Sequence, residues 1–124
     1  MTNNKSWLPL LVVAGIALLL LGYNREGFTG SCVKNPDAYL LDIEQMNGTD
    51  VHTLELEAGS VLKIRFEAAE GSLYMEIKAP DGSSLYRGNG KGPADFTVNI
   101  TQTGVYTVVV EARHAKGTIH VRLA

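Results

Sequence analysis

From Ala38 to the end of the chain apolar side chains recur at every second position, and after residue 32 no stretch of ten or more residues repeats at helical spacing. Period two is the spacing of a strand with one face buried, so these residues commit the chain to β-structure. Tyr39, Leu41 and Ile43 mark the first apolar face, and His52, Leu54 and Leu56 the next. Leu62, Ile64 and Phe66 alternate with Lys63, Arg65 and Glu67, and Leu73, Met75 and Ile77 alternate with Tyr74, Glu76 and Lys78. Phe96, Val98 and Ile100 follow, then Tyr106, Val108, Val110 and Ala112, then Ile119, Val121 and Leu123. Turn chemistry separates these runs at Asn47-Gly48-Thr49-Asp50, Ala58-Gly59-Ser60, Glu70-Gly71, Ala79-Pro80-Asp81-Gly82 and Gln102-Thr103-Gly104. Turn signals about 8–12 residues apart predict an all-β domain, a single antiparallel β-sandwich of seven or eight short strands. No connection is long enough for a crossover helix. Val105, Thr107 and Val109 give the late strand a second apolar face, which predicts a central strand or one covered by the segment before Ala38. Gly88-Asn89-Gly90-Lys91-Gly92-Pro93 is expected to be a flexible loop.

The 124 residues leave room for one such domain, because the N-terminal part of the chain has another character. Trp7 to Gly22 carries no charged or amide side chain, Lys5 precedes it, and Tyr23-Asn24-Arg25-Glu26 closes it. An apolar run without a polar stripe is a helix for lipid rather than for a soluble core. Residues 1–31 are therefore expected to be a signal peptide or membrane anchor beginning in a hydrophobic helix, 32–37 a tether, and 38–124 the sandwich. Lys5 and the α-amino group place the N-terminus in the cytoplasm and the domain outside the cytoplasmic membrane, at the cell surface or in the periplasm. The single Cys excludes an internal disulfide framework. Phe28-Thr29-Gly30-Ser31-Cys32 resembles the end of a bacterial lipobox, which makes Cys32 the candidate for lipid attachment. Cleaved signal, retained anchor and lipidated Cys32 all stay open, and each holds or releases the same exported domain.

Three further segments carry a family resemblance. Leu56-Glu57-Ala58-Gly59-Ser60-Val61-Leu62-Lys63-Ile64, Ile77-Lys78-Ala79-Pro80-Asp81-Gly82 and Thr103-Gly104-Val105-Tyr106-Thr107-Val108 together resemble the jelly-roll-like sandwiches of bacterial pre-peptidase C-terminal domains and GOLD domains. The resemblance implies a non-catalytic, extracytoplasmic interaction module. Gly104 and Tyr106 also have a physical reading, a tight turn followed by an inward Tyr whose hydroxyl bonds a loop.

Residue types that carry chemistry are sparse. From residue 32 onward nine Lys or Arg stand against twelve Asp or Glu, a net charge of −3, so no basic footprint for nucleic acid is present. Cys32 has no His neighbour in sequence to activate it, and His52, His114 and His120 lack the spacing of a preformed metal site. Asp37, Asp42, Glu44 and Asp50 are close together without matching a calcium-loop signature. No catalytic residue, cofactor or metal site is expected, and the chain is read as non-enzymatic, acting in protein or cell-envelope interaction. The alternative is a carbohydrate-binding module, for which Tyr74 and Tyr86 are the candidate ligand contacts.

Overall fold

The computed structural model describes residues 27–124, and Trp7–Gly22 with the expected N-terminal helix lies outside them. Six strands form one antiparallel sheet: β1 (Thr29–Asn35), β2 (Ala38–Leu56), β3 (Val61–Lys78), β4 (Ser84–Gly88), β5 (Asp95–Asn99) and β6 (Gly104–Leu123). The spatial order is β1-β2-β6-β3-β4, and β5 pairs with β3 as well. The described residues contain no helix, so none there is long and apolar enough to cross a membrane.

Six strands replace the expected seven or eight because three pairs of expected strands run on as single long strands, the runs ending at Ala112 and beginning at Ile119 joining in β6, while β1 is added before Ala38. Asn47-Gly48-Thr49-Asp50 lies inside the 19-residue β2, and Glu70-Gly71 inside the 18-residue β3. The β2–β6 register shifts on both sides of Met46, and the β3–β6 register shifts on both sides of Glu70. On β6 the matching position is His114, the one non-glycine residue at positive φ among those described. Extra residues placed level across three paired strands bend the sheet as a unit.

That bend folds the sheet over its own apolar face. A straight strand of 19 residues spans about 60 Å, yet Glu55 N, near the end of β2, donates to Pro36 O, just before its start, at 2.8 Å. In the first half the register aligns Tyr39, Val121, Ile64 and Phe96; in the second it aligns His52, Val108, Ile77 and Tyr86. The rows meet at both edges, where the Tyr39 and His52 rings lie 5.2 Å apart and those of Tyr86 and Phe96 4.9 Å. Between these edges twenty hydrophobic residues form one buried cluster. Tyr106 belongs to it and donates its hydroxyl to Gln102 O at 2.6 Å, the loop bond expected of it. β6 is central, paired with β2 on one side and, from Thr107 onward, with β3 on the other, and Val105 on its outward face is 51% exposed.

Residues 32–37, expected as a tether, are instead the second half of β1 and its turn into β2. They pair because Lys34 finds a partner that the sequence hides. Asp50 is 1% exposed, the one buried charged residue among those described. Its carboxylate accepts from Tyr39 Oη at 2.5 Å and pairs with Lys34 Nζ at 3.1 Å. Lys34 Nζ also donates to Val51 O at 3.1 Å, and His52 Nε2 lies 2.6 Å from Asn35 O. β1 is thus latched to the far half of β2, and a lysine covers part of a strand edge that would otherwise be open to pairing.

Candidate binding surface

The sheet separates the two tyrosines singled out from sequence. Tyr74 points outward, its hydroxyl 3.2 Å from Glu76 Oε1, with Arg87 beside the same carboxylate at 3.9 Å. The Ser84 hydroxyl and the Tyr74 hydroxyl hold Glu76 below its ordinary value, while desolvation and then the Glu76 charge push Tyr74 up. Tyr86 is in register with buried Ile77 and points the other way. The pair therefore forms no common platform.

Tyr86 instead lies in a groove that neither period nor motif announced. Phe66, Tyr86, Phe96 and Pro93 line a hollow of about 380 Å³, together with the backbone of Gly88, Asn89, Gly90 and Gly92. The loop that borders it is not loose. Phe66 N donates to Ala94 O at 2.8 Å and Ala68 N to Gly90 O at 3.1 Å, so β3 holds both arms. Lys91 N donates to Asn89 Oδ1 at 3.0 Å, closing the tip in an Asx turn with Lys91 exposed. Glycine is required along this path. A Cβ on Gly90, at φ +76°, would stand 2.8 Å from Ala68 N, and one on Gly88 would overlap the Tyr86 hydroxyl. Burial pushes the Tyr86 hydroxyl up from the ordinary tyrosine range.

A larger, shallower hollow of about 580 Å³ lies on the outward side, among Ser31, Asp42, Glu67 and Lys116. Ser31 Oγ donates to Asp42 Oδ2 at 3.4 Å, and His120 Nε2 is 3.0 Å from Asp42 Oδ1. The order Ser–Asp–His puts the carboxylate in the middle, whereas a nucleophile relay needs the imidazole there. Among the described residues no three His, Cys, Asp or Glu side chains are grouped to hold a metal ion. Asp42 is exposed on the outer face and Asp50 is buried in the latch, so these neighbours in sequence share no site. Cys32 sits mid-β1, paired with Leu41 and half-buried against the core edge.

Comparison with solved structures finds the same fold in PliG of Aeromonas hydrophila, described as a periplasmic lysozyme inhibitor of g-type lysozyme. The two align with a TM-score of 0.51 at 13% sequence identity, over 83% of this chain and 93% of that one. The likeness is one of fold. No protein-family model matches the sequence, and no curated protein matches it either.

Proposed function

We propose that the chain is a non-enzymatic, extracytoplasmic β-sandwich, made by folding one sheet on itself, that acts by binding a protein. The Gly88–Ala94 loop carries this reading. It is exposed at its tip, fixed at both arms and bears a cation, so little ordering entropy is lost when a partner docks on it. The fold shared with PliG supplies the partner class, a g-type lysozyme or another secreted enzyme of that kind. Lys91→Glu reverses the charge at the tip without touching the arms. It is expected to weaken binding of an immobilised Gly27–Ala124 domain to g-type lysozyme by about tenfold or more, read by surface plasmon resonance. Unchanged affinity would show that the loop is not the contact.

The aromatic groove favours a second reading, the carbohydrate-binding module, because the partly exposed Tyr86 and Phe96 rings offer a stacking floor beside backbone donors. Binding on a glycan array that disappears in Tyr86→Ala and persists in Tyr74→Ala supports it. An empty array removes it.

The proposed tether is the retained N-terminal segment, with Trp7–Gly22 in the membrane. Phe28 and Cys32 both pack against the core, and maturation at a lipobox would start the chain at Cys32 and discard Phe28 to Ser31 with half of β1. Intact mass of membrane-extracted protein is expected to equal that of the full chain. An acylated chain starting at Cys32 would show lipid attachment instead.

A further inference from the structure

The sequence contains two Asn-Gly pairs, Asn47-Gly48 and Asn89-Gly90, and the fold treats them differently. In such a pair the following glycine leaves its amide nitrogen unshielded by a Cβ. That nitrogen, once deprotonated, attacks the Asn Cγ, forming an N–C bond as the C–N bond to the side-chain amide breaks and ammonia leaves. Water then opens the resulting succinimide at either carbonyl, giving aspartate or isoaspartate. The net change consumes one water and releases one ammonia, hydroxide acting only as the base, and it needs no oxidant or reductant.

We propose that Asn89 is a site of this spontaneous deamidation in the folded protein and that the fold protects Asn47. Asn89 is exposed at the loop tip, and the Gly90 amide donates to no acceptor among the described residues. The Asx turn to Lys91 N at 3.0 Å folds the Asn89 side chain back toward the backbone that follows it, the direction from which the attack comes. The exposed Lys91 ammonium beside that turn favours the amide anion.

Asn47 lies inside β2, where Oδ1 accepts from His114 N at 2.7 Å and Nδ2 is 3.5 Å from His114 Nδ1. Its side chain bridges β2 to the bend of β6, and pairing of β2 with β6 continues on both sides of it. Attack there requires local opening of the corner, whereas attack at Asn89 requires only that its exposed side chain leave the Asx turn at the tip, with both arms of the loop still held by β3.

Full-length protein in detergent micelles is incubated at mildly alkaline pH and peptide-mapped, following the mass gain of each amide-to-acid conversion. The Asn89 peptide is expected to convert about tenfold faster than the Asn47 peptide. In urea the two rates should converge, and Asn89→Gln should remove the fast conversion. Equal rates in the folded protein, or a difference that persists in urea, would overturn the proposal. The mass readout needs no partner, so it stands apart from the function proposed above.

Discussion

Asp50→Ala is expected to destabilise the domain by about 3 kcal/mol, a large share of the ~5–15 kcal/mol typical of a small fold. The loss has two sources. Tyr39 is fully buried and its hydroxyl loses the bond to a carboxylate 2.5 Å away, a charge-assisted hydrogen bond inside the core. Lys34 loses its ion pair too, but it keeps its bond to Val51 O and its side chain is 31% exposed to water, so its share is small. Lys34→Ala should accordingly cost about 1 kcal/mol and Asp42→Ala, an exposed carboxylate paired with His120, about half that. Urea denaturation with unchanged slope is the measurement. Equal costs for Asp50→Ala and Asp42→Ala would show that the buried carboxylate does not tie the two halves of β2 together, and a Lys34→Ala cost no larger than that of Asp42→Ala would show that β1 is not latched to the far half of β2.

Gly71→Ala is expected to cost about 3 kcal/mol, and Gly59→Ala only about 1. Both glycines have positive φ, at +70° and +93°, so both lose the same backbone freedom. At Gly59 a Cβ meets nothing within 4 Å. At Gly71 it would overlap His114 O and stand 2.5 Å from Arg113 O, backbone atoms of β6 that cannot move without opening the corner. Thermal unfolding of the two variants separates a steric requirement at the bend from a generic glycine effect. Similar midpoints for the two would mean that the corner tolerates spreading and is not the rigid fold line described above.

The same corner marks where the sequence is readable and where it is not. Inward and outward positions follow the alternation closely: Tyr39, Leu41, Leu62, Met75, Val108 and Val121 are all buried. Alternation is a local property, and a strand keeps it whichever strand it pairs with. Strand ends are less legible, because Asn-Gly and Glu-Gly suit a hairpin turn and a bulge equally well, and the choice rests on whether neighbouring strands bulge at the same level. The latch was hidden for a related reason. Lys34 and Asp50 are sixteen residues apart and join only because β2 turns back, so Asp50 looked like a turn residue and Lys34 like part of a tether. At the groove, Tyr86 was named from its residue type alone. Its partners Phe66 and Phe96 are inward positions by alternation; Phe66 stays buried and Phe96 half-buried, and the hollow exists only because the Gly88–Ala94 loop passes beside them.

Inhibition of g-type lysozyme reads the bound state of the loop most directly. Cell walls are digested by g-type lysozyme while Gly27–Ala124 is titrated in, with Lys91→Glu as the paired variant. The expected result is dose-dependent slowing of lysis by the domain, with the variant needing about tenfold more protein for the same effect. Lysis unaffected by the domain, or slowed equally by both proteins, would contradict the account.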